Sequence, residues 1–183
     1  MSYFYTKYNF VSITEIIDLF HHRWAAAVLA ELRRKRGSRF VTLSRMLGVS
    51  KESLRRTLAA LLDQGLVARN PGYGHPLRPE YVLTERGRPI AARCERLLSV
   101  LDGNAEVAKR KWSIPVVVVL AEPARFSELR AALPGVTGRA LAITLKDLQR
   151  AGLVERRVDE KTYPPAVVYA ATAAARRLQR AIS

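Results

Sequence analysis

The chain has 183 residues and carries 31 Lys and Arg against 16 Asp and Glu, a formal charge of +15 in which arginine outnumbers lysine 24 to 7. Its 49% hydrophobic content is that of a folded protein, which excludes a disordered basic tail, and its length suits one domain or two of about 80 to 90 residues. A folded protein this basic attracts polyanions, and its lone cysteine, Cys94, leaves no internal disulfide and fits a reducing cytoplasm.

In chain order, an aromatic arm (Tyr3, Phe4, Tyr5, Tyr8, Phe10) leads into a helix over 14–34. Thr14 is its expected N-cap, and Ile17, Phe20, Trp24, Val28 and Leu32 recur at helical spacing. Residues 40–47 form a short second helix ended by Gly48. Ser50 caps a third helix, 51–64, which stops at Gly65, the residue type that tolerates the left-handed conformation beyond a helix end. Val67–Arg69 and Tyr81–Leu83 read as strands around a Gly/Pro/His turn. Residues 86–110 are mostly helical, with a break at Asp102-Gly103-Asn104. Thr137 then caps a helix over 138–151 that stops at Gly152, strands follow at Val154–Arg157 and Val167–Ala170, and Thr172–Ile182 is a final amphipathic helix.

The second half repeats the first. Arg23-Trp24 answers Lys111-Trp112, and Arg39-Phe40 through Leu43 answers Arg125-Phe126 through Leu129. Leu47-Gly48-Val49-Ser50 answers Leu133-Pro134-Gly135-Val136-Thr137 with one residue inserted. Leu54, Thr57, Leu58 and Leu61 answer Leu141, Thr144, Leu145 and Leu148, and Gly65-Leu66-Val67 answers Gly152-Leu153-Val154. Landmarks in one order at offsets of 86 to 88 residues mean a tandem duplication.

Helix, helix, turn, helix and hairpin is the order of a winged helix-turn-helix. The landmark residues resemble the HxlR-type, MarR-related, branch of bacterial transcription regulators. Residues 111–172 carry the closer likeness, through Lys111-Trp112, Arg125-Phe126-Ser127-Glu128-Leu129, Leu133-Pro134-Gly135-Val136-Thr137 and Pro164-Pro165 to Tyr169. Residues 23–87 are a looser copy. The resemblance implies a mainly α fold with small β-hairpin wings: 1–87 the aromatic arm and first winged helix, 88–106 a helical linker, 107–183 the second winged helix. Relatives usually hold one such unit and dimerise, so two units imply a single-chain pseudo-dimer, acting as a monomer or as a homodimer. Where the first copy has Gly87, the second has Ala175, so its last helix is expected to start differently. Many relatives carry a sensing cysteine shortly before the first Trp helix; Cys94 lies farther from Trp112 and is a redox candidate only on that analogy.

The implied partner is double-stranded DNA. On 51–64 the leucine stripe leaves Glu52, Arg55, Arg56, Ala59 and Asp63 facing outward; on 138–151 it leaves Arg139, Ala142, Ile143, Lys146 and Arg150. Arg55, Arg56 and Arg139 are candidates for reading guanine O6/N7. Ser50, Lys51 and Thr137, at the helix starts, and Lys146 are further contact candidates. Arg39, Arg69, Arg78, Arg125, Arg156, Arg157 and Lys161 fall at helix starts or in the wings, where phosphate or minor-groove contact is expected. The bland alternative for each is a solvated face.

Other chemistry finds little support. His21 and His22 point about 100° apart on a helix and cannot chelate one metal by themselves, and three His with one Cys do not make a closed four-ligand zinc site. No glycine turn is followed by the Gly-Lys-Ser/Thr run of a phosphate-cradling loop, so no cofactor is expected. The longest apolar runs, 24–30 and 114–121, fall short of a membrane span, and no signal peptide is evident. The expectation is a cytoplasmic, nucleoid-associated, non-enzymatic regulator, a repressor that occludes promoters, with a small-molecule effector near Trp24 left open. Its rivals are an architectural or genome-maintenance DNA binder of low specificity and an ScpB-like tandem winged-helix protein-interaction subunit.

Overall fold

Helix α1, Ile13–His21, opens on a capping box: the Ser12 hydroxyl accepts from the Glu15 amide at 3.2 Å, and the Glu15 carboxylate accepts from the Ser12 amide at 2.9 Å. The cap is Ser12 rather than Thr14, because Ser12 has an acidic partner three residues on and Thr14 has Ile17 there. The structure is a computed structural model that describes residues 12–70, 79–101, 105–159 and 165–183. The helix expected over 14–34 is two helices. After α1 the Ala25 amide donates to the His22 carbonyl at 2.9 Å, and α2 runs from Ala25 to Lys35. One apolar stripe is thereby divided between two cores: α2 belongs to the compact unit His22–Ser99, and α1 to the unit containing Val100–Ser183, where it packs on α7, Ser113–Val119.

In the first unit α2 is followed by β1 (Ser38–Arg39), α3 (Phe40–Leu47), α4 (Lys51–Asp63), β2 (Val67–Asn70), β3 (Glu80–Leu83) and α5 (Gly87–Val100). The wing is a three-stranded antiparallel sheet in the order β1-β3-β2 rather than a two-stranded hairpin. Ser38 lies opposite Tyr81 in a strand two residues long, too short for side-chain alternation to reveal. Leu29, Leu32, Leu43, Leu54, Leu58, Leu61 and Leu97 are fully buried between the helices. Each contributes about 1.5–3 kcal/mol of transfer free energy, and together they set the faces α4 can leave to solvent.

The second unit adds α6 (Ala105–Ala108), α7, β4 (Ala124–Arg125), α8 (Phe126–Ala132), α9 (Gly138–Arg150), β5 (Val154–Asp159), β6 (Ala166–Ala171) and α10 (Ala173–Ile182). Its sheet has the same order, β4-β6-β5. Each Trp is stacked by the cation before it, Arg23 at 5.6 Å from the Trp24 ring centre and Lys111 at 4.9 Å from that of Trp112. A buried glutamine ties the last helix of this unit to α7: the Gln179 amide of α10 donates to the carbonyls of Val117 (2.7 Å) and Leu120 (2.9 Å), satisfying acceptors that the end of α7 leaves open.

The joint between wing and last helix is almost the same in both units. Thr84 donates through its amide to the Leu66 carbonyl at 3.1 Å and through its hydroxyl to the Gly65 carbonyl at 2.7 Å. Thr172 repeats both bonds, to Leu153 at 3.1 Å and Gly152 at 2.8 Å. The difference expected at the last helix is present. A side chain at Gly87 would place Cβ 1.9 Å from the Leu66 carbonyl oxygen, whereas Ala175 fits, and α10 begins directly after its Thr cap while α5 begins three residues after Thr84. The chain is two tandem winged helix-turn-helix units, mainly helical with small antiparallel sheets.

Candidate nucleic-acid interface

The helix-turn-helix is built from local bonds. In the first unit Gly48 takes the left-handed conformation (φ 59°) that ends α3, the Val49 amide donates to the Ser44 carbonyl at 3.1 Å, and the Ser44 hydroxyl donates to the Val49 carbonyl at 2.8 Å. The chain then turns into α4, whose cap Ser50 accepts from the Ser53 amide at 3.3 Å. In the second unit Thr137 caps α9 by accepting from the Ala140 amide at 3.1 Å. Both helices end in the same motif: Leu66 donates back to Leu61 and Gly65 to Leu62, as Leu153 does to Leu148 and Gly152 to Gln149. The local sequence thus sets where α4 and α9 start and stop, and the buried leucines set which face looks outward.

On α4, Leu54, Thr57, Leu58 and Leu61 are buried and Lys51, Glu52, Arg55, Arg56 and Ala59 are exposed. Glu52 lies between the two arginines, accepting from Arg55 at 2.9 Å and Arg56 at 2.8 Å. Those hydrogen bonds, Arg56 first, hold its carboxyl below the usual carboxylate range. Two of the three arginines expected to read bases, Arg55 and Arg56, are therefore engaged by a carboxylate. The sequence does carry this signal, as Glu at i with Arg at i+3 and i+4.

On α9, Leu141, Thr144, Leu145 and Leu148 are buried, while Arg139, Ala142, Ile143, Lys146 and Arg150 are exposed. Asp147, at the flank, takes ion pairs from Arg110 and, at 3.6 Å, from Arg150. The outward face of α9 is thus more cationic than that of α4, where the homologous positions hold Glu52, Arg55, Arg56, Ala59 and Asp63.

Exposed cations flank both helices. Arg39 and Arg125 sit at the starts of α3 and α8; Arg39 reaches Glu80 at 3.7 Å, and the Arg125 amide is held by the Glu128 carboxylate at 2.6 Å. In the wings Arg69, Arg156 and Arg157 are exposed, Arg157 bonding Glu155 at 2.9 Å through Nε. Arg45, in the last turn of α3 and exposed, joins this set, although no sequence motif singles it out. Arg78 and Lys161 lie outside the described residues, as do His75 and the aromatic positions 3–10; Phe20 is buried in α1.

Cys94 is enclosed on α5, and burial pushes its thiol up to about 12, so at neutral pH it carries its proton and has little nucleophilic character. Beside α2 a cleft of about 730 Å³ is lined by Leu32, Arg33, Arg34, Arg36, Val82 and Leu83 among others. Two of its arginines are engaged by carboxylates, Arg33 by Glu95 at 3.0 Å and Arg34 by Glu31 at 3.1 Å. Among the described residues no group of three or more His, Cys, Asp and Glu converges as a metal site, and no helix is long and apolar enough to cross a membrane.

Comparison with known proteins agrees with this architecture. The family of HxlR-like helix-turn-helix proteins matches the chain twice, at residues 19–109 and 107–183. Similar proteins include an HTH-type transcriptional regulator of Mycobacterium tuberculosis, 35% identical over 85 residues that make up 44% of this chain and 51% of the relative. The HTH-type transcriptional regulator YvaP of Bacillus subtilis is 35% identical over 80 residues, 43% of this chain and 69% of YvaP. YkvN of the same species, named likewise, is 38% identical over 68 residues, 37% of this chain and 57% of YkvN. The matched stretch spans about half the length of the mycobacterial relative. With two capped helices, each backed by a leucine stripe and followed by a basic wing, and with both halves matched, the chain belongs to the HxlR-like helix-turn-helix family and carries its domain twice.

Proposed function

We propose that the chain is a sequence-specific regulator of transcription that binds double-stranded DNA, and that it represses by occluding promoters. The observation that carries this reading is the pair α4 and α9: each has its cap, its buried leucines and an outward polar face at the place where a recognition helix enters the major groove. Arg55, Arg56 and Arg139 are assigned to base edges. Ser50, Lys51, Thr137, Lys146, Arg39, Arg125, Arg69, Arg156 and Arg157 are assigned to the backbone, as are Arg78 and Lys161 on their sequence positions alone. Two heads on one chain make a pseudo-dimer whose second contact is intramolecular, which raises its effective concentration without a dimerisation step. This reading places the protein in the cytoplasm, on the nucleoid.

The test is selection of bound fragments from sheared genomic DNA of the source organism at about 150 mM salt, near physiological ionic strength, followed by footprinting and run-off transcription from the bound promoter. A recurring asymmetric motif, protected over roughly 20 base pairs when both helices engage, and a fall in transcript are expected. The net charge of +15 favours a second reading, a low-specificity architectural binder, which tight binding without a motif would establish. Absence of binding at that salt would turn the search to protein partners.

A further inference from the structure

We propose that Ile143 is a specificity residue of the second unit and that it reads thymine through the C5-methyl group. The inference rests on the reading of α9 as a groove-entering helix and goes beyond it in assigning the base chemistry. Ile143 is 53% exposed on a helix whose apolar packing is supplied by Leu141, Leu145 and Leu148. A β-branched side chain gives an exposed helix position nothing that alanine would not give better. Its neighbours on the same face are Arg139 four residues before, Lys146 three after and Arg150 seven after, all exposed. An apolar side chain flanked by Arg139 and Lys146 does not suit an apolar protein surface, which would leave those two charges without partners, whereas Arg150 is paired with Asp147. It suits a surface that is polyanionic at its edges and presents isolated methyl groups at its floor, which describes the major groove at thymine.

The homologous position on α4 is Arg56, beside Arg55 and Glu52, and all three can hydrogen-bond to bases. On α9 the same three places hold Ile143, Ala142 and Arg139. The duplication has therefore produced two unlike readers: α4 offers guanidinium and carboxylate groups that recognise guanine and cytosine edges, and α9 offers a methyl-reading side chain flanked by cations for phosphate. The site should be asymmetric in composition, with the half under α9 richer in thymine.

The experiment uses the full chain and the motif it selects from a random duplex pool. Each thymine of the motif is replaced by deoxyuridine, which removes only the C5-methyl, and affinities are compared for the wild-type chain and Ile143→Ala. The expectation is that the wild type loses about fourfold at one or two thymines of one half-site, the value of burying one methyl. Ile143→Ala should bind the thymine and uracil forms of those positions equally, and Ile143→Val should keep part of the discrimination. Deoxyuridine in the other half-site should affect both proteins alike. If a motif is recovered and Ile143→Ala still distinguishes thymine from uracil, or the wild type never does, the assignment to Ile143 is overturned while the DNA-binding reading stands. If the wild type selects no motif, both fall together.

Discussion

Replacing Gly87 by alanine tests the joint between wing and last helix in the first unit. The added Cβ would lie 1.9 Å from the Leu66 carbonyl oxygen and 2.9 Å from its carbon, whereas real Cβ contacts stay beyond 3.0 Å, so backbone must move by more than 1 Å. That carbonyl also accepts from the Thr84 amide at 3.1 Å, and the Gly87 amide donates to the Thr84 hydroxyl at 3.0 Å, so the displacement strains both bonds. Overpacking of this kind costs about 1–3 kcal/mol, and a weakened hydrogen bond adds about 1. Alanine's better helix propensity returns up to about 1 kcal/mol, leaving a net loss of about 1–3.

For a unit of this size each kcal/mol lowers Tm by about 4–8 °C, so a fall of at least about 4 °C is expected. Trp24 lies in the first unit and Trp112 in the second, so fluorescence melts in a Trp112→Phe background follow the affected unit alone. The homologous change Ala175→Gly meets no such clash and should cost about 1–2 kcal/mol, the usual cost of glycine in a helix plus the loss of one buried methyl. Gly87→Ala melting within about 1 °C of its parent would refute the reasoning, because the close approach would then be absent in solution.

Four further outcomes follow from the same geometry. Glu52→Gln removes the carboxylate between Arg55 and Arg56; binding to unrelated duplexes should tighten and the salt dependence steepen by about one ion, while preference for the selected motif falls. A variant with unchanged salt slope would show that Glu52 does not compete with phosphate. Arg156→Ala should weaken all sequences similarly and lower that slope by about one, measured by fluorescence anisotropy across a salt series. Gln179→Ala should destabilise the second unit by about 1–3 kcal/mol in urea melts, since the carbonyls of Val117 and Leu120 lose their donor. For Cys94 the folded pKa lies at about 12, above its ordinary 9.0, so the folded chain keeps a proton that the unfolded chain releases. Stability should therefore fall as pH rises from 9 toward 12, by up to about 1.4 kcal/mol per unit, and Cys94→Ala should lack that component. Rapid reaction of the native thiol with a thiol reagent at pH 7 would overturn the account of its burial.

The interface was legible in the residues to the extent that it is local. The Ser50 and Thr137 caps, the Gly65 and Gly152 stops and the leucine stripes all depend on groups within a turn or two of one another, and the structure has them where the spacing puts them. The pairing of Glu52 with Arg55 and Arg56 was equally present in the spacing. Ile143 was placed on the outer face, but its surroundings acquire meaning only when the exposure of its neighbours is known.

The sequence by itself determined the duplication, the order of the main elements in each copy and the boundaries of α4 and α9, because caps, turns and amphipathic periods are set by short-range bonds and by one face of one helix. Tertiary structure alone decided the rest. A continuous apolar period over 14–34 could not say that α1 and α2 serve different cores. The two-residue strands β1 and β4 exist only because β3 and β6 offer them an edge. Gln179 owes its burial to carbonyls some sixty residues away, on an element that no local pattern connects to it. In each case the deciding interaction lies across the fold, between groups that the chain brings together only once the leucines are buried.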